Sequence, residues 1–326
     1  MKLATLPDGS RDGRLVVVSR DLTRTAPAGD IAATLQDALD RWAQTEPALR
    51  DRAAALESGS IAGEPFDPSA TLAPLPRAWQ WLDGSVFPSH GQLMQLAYGF
   101  PPIESETPLM YQGMSHRFLG PAEDVPLPSE ADGIDFEGEF GIVTDEVPMG
   151  VSAEDALGHI KLLVQINDWS LRNLAGAEMK TGFGWILAKP ACSMAPVAAT
   201  PDELGPAWRG GRVQLPLRVW LNGERFGEPH GGAMSVGFGE LIAHAARTRS
   251  LCAGTIIGSG TVSNPDAATV GCACITERRA LDTIETGAPR TEFLKFGDRV
   301  RMEGALGAGE PLFGPIDQKV VRSGLI

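Results

Sequence analysis

The sequence has few cysteines, no long apolar stretch and no run of basic residues. Four cysteines in 326 residues are too few for the disulfide framework of a small secreted domain. No segment approaches the ~20 consecutive apolar residues that a membrane-spanning helix needs. The first residues also contain no apolar segment of signal-peptide length. We therefore expect a cytoplasmic protein that does not associate with a membrane.

The charge balance is acidic. The chain carries 28 Lys and Arg against 41 Asp and Glu, which is a net charge of -13 at pH 7. This charge would repel a phosphate backbone, so we expect no nucleic-acid partner. No Gly-x-Gly-x-x-Gly string follows a predicted strand and opens a helix, and a dinucleotide site therefore has no support. A small-molecule ligand is the remaining expectation.

The composition favours many short strands and few helices, because the chain has 38 Gly and 25 Pro. Asn222 and Gly223 give a strong hairpin-turn signal. Helical patterns cover 170–180 and 238–249. This pattern predicts a mixed β or α+β architecture, not a doubly wound parallel sheet. The predicted strands of the larger part of the chain are 136–144, 160–166, 215–221, 255–262, 273–276 and 299–302.

The beginning of the chain has a different pattern. A predicted strand at 15–19 is followed by a helical apolar stripe that starts after Asp30. Residues 59–76 are rich in Gly, Pro and Ser and have the composition of a linker. We therefore predict a small N-terminal α+β domain over residues 1–70 and a larger, strand-rich domain over residues 75–326, which carries the candidate metal-binding and catalytic residues described next.

Carboxylates in three segments could hold one hard metal ion. Glu137 and Glu139 are two apart in a predicted strand, so they point to the same face. Asp168 follows a buried strand, and Asp83 lies upstream of both. Adjacent buried anions are costly unless a cation pairs with them, and oxygen ligands favour Mg²⁺ or Ca²⁺, with Mn²⁺ also suitable. The alternative is that the glutamates lie on a solvated strand edge and that Asp168 only caps a helix.

Three further residues could serve such a site. His90 is either an ordinary polar loop residue or a general base, because histidine is the side chain best suited to take up a proton at neutral pH. Lys189 is either a surface lysine or a cation directed at an anion. Arg172 follows Asp168 by four residues and would share its face if the segment were helical. Cys272 and Cys274 would share one face if their segment were a strand, and buried thiols are there a commoner outcome than a zinc site.

Taken together, these residues resemble those of the fumarylacetoacetate hydrolase family. The resemblance covers about residues 75–326. It implies a β-sandwich roll of the fumarylacetoacetase C-terminal type around a divalent metal, and a homodimer. The segments that carry it are 135–139 (DFEGE), 167–172 (NDWSLR), 187–190 (LAKP) and 258–263 (GSGTVS).

The resemblance also implies roles for individual residues. The metal ligands would be Asp83, Glu137, Glu139 and Asp168. His90 would be the base, Lys189 would stabilise the oxyanion, and Glu277 would orient His90 if the alignment shifts by two residues. The residues that match positions contacting substrate are Tyr111, Arg172 and Thr261.

Three positions depart from the family pattern and bear on the substrate. Gly99 stands where the longer members have an arginine, and Ala175 stands where they have a glutamine. Ile275 falls at the histidine-orienting glutamate by simple count, with Glu277 two residues further on the predicted strand. These changes affect the expected substrate pocket and leave the expected metal ligands unchanged.

The activity implied is catabolic hydrolysis of a C–C bond in a 1,3-diketone or acylpyruvate-type acid. The substrate would bind the ion through two neighbouring oxygens while His90 takes a proton from the attacking water. Two alternatives remain open. The first is another reaction of the same metal site, namely decarboxylation of a β-keto acid such as oxaloacetate, or hydration or isomerisation of a 2-oxo-enoic acid. The second is a non-catalytic protein that a metal stabilises.

Overall fold

The computed structural model of the chain describes residues 1–99 and 105–324. Within these two ranges the chain forms twenty strands and eight α-helices. The strands are β1 (Lys2–Leu6), β2 (Arg14–Val18), β3 (Arg24–Pro27), β4 (Glu64–Pro65), β5 (Trp81–Gly84), β6 (Met110–Gln112), β7 (Val125–Leu127), β8 (Ile134–Asp135), β9 (Gly138–Thr144), β10 (Ile160–Asn167), β11 (Ser170–Leu171), β12 (Ser193–Met194), β13 (Val197–Ala199), β14 (Trp208–Arg209), β15 (Arg212–Val213), β16 (Leu217–Leu221), β17 (Glu224–Gly227), β18 (Ile256–Gly258), β19 (Arg299–Gly304) and β20 (Ile316–Arg322). The helices are α1 (Leu35–Asp40), α2 (Trp42–Ser58), α3 (Pro88–Tyr98), α4 (Ala153–Ala156), α5 (Arg172–Met179), α6 (Phe238–Ala245), α7 (Ala267–Val270) and α8 (Ile275–Thr286).

One large sheet runs through both predicted domains. Its strand order is β4-β3-β2-β1-β13-β10-β9-β18-β5-β6, and β12 pairs with β10 off this path. Strand β1 pairs with β13 in antiparallel register, with Leu3 opposite Ala198. Leu3 also belongs to the same buried core cluster as Trp81 and Val143. The first strands therefore continue the sheet of the larger domain, and the boundary at residues 70–75 stays a prediction.

A second sheet packs against the middle of the first. Its order is β17-β16-β19-β20-β7. The two sheets approach closely, since a side chain at Gly138 would lie 2.7 Å from Leu217 Cδ2. Phe140 of β9 packs near Phe313 with ring centroids 6.2 Å apart. The predicted mixed β architecture is confirmed, and its apolar core lies between the sheets.

Local turn chemistry explains the hairpin of the second sheet. Asn222 and Gly223 connect β16 to β17 with φ angles of 52° and 84°. Positive φ at both central positions is the geometry of a type I′ turn, which matches the twist of the paired strands. The sequence prediction of this hairpin is confirmed.

The predicted strand at 273–276 is wrong. Cys274 is extended, but it is the N-cap of α8, which begins at Ile275. The Asp135 carboxylate accepts hydrogen bonds from the Ile275 and Thr276 N–H groups at 2.7 and 3.0 Å. A distant carboxylate therefore satisfies donors that a strand partner would otherwise take. Glu277 consequently lies in the first turn of a helix, not on a strand face.

In the described part of the chain, no helix combines the length and the apolar character needed to cross a membrane.

Candidate active site

Four buried carboxylates converge on neighbouring strands within the large sheet. Asp83 lies on β5 and Glu139 on β9, with β18 between these strands. Glu137 immediately precedes β9, and Asp168 immediately follows β10. One oxygen from each of the four carboxylates lies within 4.8 Å of the others. The structure therefore brings together all four residues predicted as metal ligands.

Backbone pairing sets this arrangement. Asn167 of β10 is paired with Gly138 of β9, which places the residues flanking both strand ends side by side. The Asp168 N–H donates to the Glu137 carbonyl at 2.9 Å. The Glu137 N–H donates to Asn167 Oδ1 at 3.0 Å. These bonds hold two acidic residues that are far apart in the sequence at a fixed distance.

Gly258 of β18 provides the space for the cluster. A Cβ atom at this position would lie 2.5 Å from Asp83 Oδ1 and 2.8 Å from Glu139 Oε2. Such distances are far below van der Waals contact, so a side chain cannot be added without moving the carboxylates. Just beyond it, the Gly260 N–H donates to Asp83 Oδ1 at 3.1 Å and orients that carboxylate.

We expect Gly258→Ala to weaken metal binding by at least about tenfold and to destabilise the fold by roughly 1–3 kcal/mol, because the added methyl group overpacks the cluster. Calorimetric metal titration and thermal unfolding would measure both effects. Gly158→Ala is the matched control, since a Cβ there meets no atom within 4 Å. Wild-type metal affinity in Gly258→Ala would contradict the assigned role of this glycine.

Two cations pair with part of the cluster. Lys189 Nζ donates to Glu137 Oε2 at 2.7 Å and to Asp168 Oδ2 at 2.6 Å. Arg172 Nη2 lies 2.5 Å from Glu137 Oε1, and its Nε donates to Asp135 Oδ2 at 2.8 Å. Burial disfavours ionisation of Glu137, but the charges of Arg172 and Lys189 outweigh it and hold the pKa of that carboxyl well below its usual range.

Asp83 and Glu139, the other two carboxylates, form no ion pair with a cation in residues 1–99 and 105–324. Neither oxygen of Glu139 meets an N–H or O–H donor in the part of the chain that the structure describes. Burial, and then the charge of Asp83, raises the pKa of Glu139 well above its usual range. Burial and the charge of Asp168 do the same to the pKa of Asp83. Acidic groups outnumber the two cations here, because Arg172 is also shared with Asp135, so the residues present fit a divalent cation with oxygen ligands.

Aromatic side chains lie beside the cluster. The Tyr111 hydroxyl, on β6, donates to Asp168 Oδ2 at 2.6 Å. The Trp185 ring packs edge-on against Tyr111 with centroids 4.8 Å apart. Lys189 Nζ lies 5.5 and 5.8 Å from the two ring centroids. Burial, followed by the charge of Asp168, raises the pKa of Tyr111 well above its usual range, so this phenol stays protonated and can donate.

A histidine–carboxylate pair forms between two helices. His90 lies in the first turn of α3, where Pro88 occupies the first helical position, and Glu277 lies in the first turn of α8. His90 Nδ1 is 2.9 Å from Glu277 Oε1. The Ser89 hydroxyl, next to His90, donates to Ser263 Oγ at 2.9 Å and ties α3 to the segment after β18. The contact expected between His90 and Glu277 is therefore present.

The other positions singled out from the sequence, Thr261, Arg172 and Gly99, lie on three different segments of the chain. Thr261 is buried between Gly260 and Val262 in the segment that follows β18. Arg172 reaches the cluster from the start of α5, although residues 170–171 form a short strand, so the helical spacing assumed for Asp168 and Arg172 is wrong. Gly99 ends α3 with φ of 66°. The substrate roles of Tyr111, Arg172 and Thr261 stay predictions.

Two residues at the site were not found from the sequence. Asp135 caps α8 and binds Arg172, which links Glu277 to the carboxylate cluster. Cys192 Sγ lies 2.9 Å from Asp168 Oδ1, and burial and then the Asp168 charge raise the pKa of this thiol well above its usual range. Asp135 belongs to the acidic segment 135–139 and could have been singled out there. No local signal distinguishes Cys192 from an ordinary core thiol.

Comparison with family models identifies two matching regions. Residues 81–321 match the fumarylacetoacetate (FAA) hydrolase C-terminal model. Residues 1–77 match the fumarylacetoacetase N-terminal domain 2 model. The two matches together extend over nearly the whole chain.

Individual relatives are more distant. The chain is 28% identical over 163 residues to 2,4-didehydro-3-deoxy-L-rhamnonate hydrolase of Sphingomonas sp. (strain SKA58), covering 49% of the chain and 54% of that protein. It is 24% identical over 163 residues to mitochondrial oxaloacetate tautomerase of Xenopus laevis, covering 49% of each. The chain thus spans about half the length of the curated relatives it matches.

A solved structure shares the fold. Maleylpyruvate hydrolase from Sphingobium sp. SYK-6, in complex with manganese(II) ion and pyruvate, superposes with a TM-score of 0.66 at 18% identity. The match covers 99% of this chain and 100% of that one, and at this identity it shows the fold alone. Because residues 81–321 match the C-terminal model, the chain belongs to the fumarylacetoacetate hydrolase family.

Proposed function

We propose that this protein is a divalent-metal-dependent hydrolase that cleaves a C–C bond in an acylpyruvate-type or other 1,3-diketone acid. The observation that carries this proposal is the His90–Glu277 pair, which Asp135 and Arg172 connect to the four-carboxylate cluster. When bound, a divalent cation would hold two neighbouring substrate oxygens and stabilise the negative charge that the leaving carbon acquires. The ligands would be Asp83, Glu137, Glu139 and Asp168.

His90 would move the proton. Glu277 is buried and lies against Nδ1, so it favours the tautomer with the proton on that nitrogen and leaves Nε2 as the acceptor. Nε2 would take a proton from water as the water attacks the substrate carbonyl. After the C–C bond breaks, the same proton would return to the leaving carbon. The products are a carboxylic acid and a 2-oxo acid or ketone.

Lys189 and Tyr111 would orient and stabilise. An ammonium group has three donors, and Lys189 uses two of them on Glu137 and Asp168. The third donor is available for the oxyanion that forms when water adds to the carbonyl. The Tyr111 hydroxyl, which donates to Asp168, would also contact the polar end of the substrate. Arg172 would hold Glu137 in place, and Thr261 would contact a substrate carboxylate.

The comparisons support a hydrolase and leave the ion open. The Sphingomonas relative is a hydrolase by name, and the Sphingobium hydrolase binds manganese(II) and pyruvate. Pyruvate is the product expected from an acylpyruvate. Mn²⁺ and Mg²⁺ are therefore the first ions to test, followed by Ca²⁺. The homodimer and the catabolic role implied by the family resemblance stay predictions.

A second candidate is tautomerisation or decarboxylation of oxaloacetate. It is favoured by the similarity to the Xenopus laevis tautomerase, which extends over half the chain. Oxaloacetate carries the same neighbouring oxygens as an acylpyruvate. His90 could move a proton between carbon and oxygen without activating water. The candidates therefore differ in whether water enters the product.

An assay of the metal-loaded protein on acylpyruvates, fumarylacetoacetate-like diketones and oxaloacetate would separate the two. We expect Mg²⁺- or Mn²⁺-dependent release of pyruvate and a carboxylic acid from an acylpyruvate, with ¹⁸O from labelled water appearing in the carboxylic acid. Turnover of oxaloacetate with no hydrolysis of any diketone would establish the second candidate instead. Absence of turnover on all substrates with every ion would contradict both.

A further inference from the structure

A second group of potential metal ligands lies at the His90–Glu277 pair. One ligand atom each from His90, Cys274 and Glu277 lies within 4.8 Å of the others. Cys274 and Glu277 are fully buried, whereas the His90 side chain is 22% exposed. An ion would therefore reach the group from the side of the histidine, and the two other ligands would hold it from within.

Glu277 has ligand capacity that the proposed hydrolysis does not use. Its Oε1 contacts His90 Nδ1. Its Oε2 is buried and has no hydrogen-bond partner in residues 1–99 and 105–324. An unpaired buried carboxylate oxygen costs free energy, and that cost is removed when the oxygen binds a cation.

The local structure presents the three side chains together. Cys274 is the N-cap of α8 and Glu277 is three residues further, a spacing that places both on one side of the first turn. The positive end of the α8 dipole would oppose a cation. The Asp135 carboxylate offsets this effect, because it accepts the N–H groups of Ile275 and Thr276.

The donor set differs in kind from the carboxylate cluster. Sulfur, imidazole nitrogen and a single carboxylate oxygen favour Zn²⁺ and Co²⁺, and they disfavour Mg²⁺ and Ca²⁺. We propose that His90, Cys274 and Glu277 bind one thiophilic divalent ion, separate from the ion of the four carboxylates, and that this ion inhibits the enzyme by occupying His90. Binding forms a metal–sulfur bond and releases the thiol proton to solvent. The binding half of the proposal is independent of the proposed function, and the inhibition half rests on it.

Co²⁺ is the probe for binding, because a cobalt–thiolate bond gives a ligand-to-metal charge-transfer band in the near ultraviolet. The full chain is first saturated with Mg²⁺ and then titrated with Co²⁺. We expect the band to appear with one equivalent of bound sulfur-ligated Co²⁺ and to be lost in Cys274→Ser. Serine is a good N-cap, so this variant keeps the start of α8.

Two controls locate the sulfur. Cys272→Ser replaces a neighbouring buried thiol that is outside the group, and it should keep the band. Cys192→Ser removes the thiol beside Asp168 of the carboxylate cluster, and it should also keep the band. No band in the wild type, a band that survives in Cys274→Ser, or a band lost in Cys192→Ser would each overturn the proposed site.

Inhibition is measured separately. The turnover rate is followed at saturating Mg²⁺ while Zn²⁺ is added, and each variant is compared with its own rate without Zn²⁺. We expect the Zn²⁺ concentration for half inhibition to rise at least tenfold in Cys274→Ser and to stay unchanged in Cys272→Ser. Equal inhibition of Cys274→Ser and the wild type would disprove the inhibitory role. If no hydrolase activity is found, the proposed function fails, whereas the cobalt band still decides whether the site exists.

Discussion

We expect the His90→Ala variant to lose hydrolytic turnover by about 10²–10⁴-fold while it keeps its metal affinity. The variant would lose the imidazole that takes the proton from water. It would keep all four carboxylates of the cluster, because His90 is not one of them. Steady-state kinetics on an accepted acylpyruvate and calorimetric titration with Mg²⁺ or Mn²⁺ measure the two properties. A drop in kcat without a change in metal affinity separates proton transfer from metal binding.

The matched control is His159→Ala. His159 also pairs through Nδ1 with a carboxylate, Asp145, at 2.7 Å, but outside the carboxylate cluster. This variant should keep wild-type turnover. Glu277→Gln should lower kcat less than His90→Ala does, because the histidine remains but loses its charged partner. If His90→Ala turned over every accepted diketone at the wild-type rate, the assignment of the base would be wrong.

Replacing Glu139 by glutamine should have opposite effects with and without metal. In the metal-bound protein it removes one of four ligands, and affinity should fall by more than the roughly 10–100-fold that loss of an outer partner costs. The stabilisation of about 2.7 kcal/mol that an ion supplies at 100 times its Kd should therefore be lost. Glu137→Ala and Asp168→Ala should lose metal affinity in the same way.

In the metal-free protein, Glu139→Gln should instead be more stable than the wild type by roughly 1–3 kcal/mol at pH 7. Burial raises the pKa of Glu139 above its value in the unfolded chain, which is about 4.3. A raised carboxyl pKa means that the unfolded state loses its proton first as the pH rises. The contribution of Glu139 to stability therefore falls as the pH rises above about 4, and the advantage of the glutamine variant disappears below that pH.

Denaturant unfolding across this pH range, with chelator and with Mg²⁺, tests both effects. Glu146→Gln is the matched control, because Glu146 is exposed and close in sequence to the end of β9. It should change neither metal affinity nor the pH dependence of unfolding. A Glu139→Gln protein that binds Mg²⁺ like the wild type would remove Glu139 from the metal site.

The acidic residues of the cluster could be predicted from the sequence because local geometry positions them. Glu137 and Glu139 are two residues apart in an extended segment, so their side chains share a face regardless of the rest of the fold. Asp168 follows an apolar strand, and side chains at strand ends commonly face a site. Resemblance to a known family then assigned Asp83 and His90, which no spacing connects to the glutamates.

The contacts that complete the site depend on long-range packing. His90 and Glu277 are 187 residues apart, and they meet because α3 and α8 pack against each other. The sequence pattern predicts a strand at Glu277, because the short apolar run around Cys274 fits either a strand or a helix start. Asp135 favours the helix, because its carboxylate accepts the Ile275 N–H at the N-terminus of α8. The same applies to Cys192, whose contact with Asp168 has no local signature.

The sequence by itself determined that four carboxylates are available on extended segments and that the chain has the composition of a mixed β protein. It did so because alternation along a strand and turn preferences are properties of neighbouring residues. Only the tertiary structure decided that these carboxylates share one cluster and that Gly258 leaves room for it. It also decided that Glu277 contacts His90, and that its other oxygen lies near Cys274 with no hydrogen-bond partner among the described residues. These features depend on sheet order and helix packing, which bring together atoms that are distant in the chain.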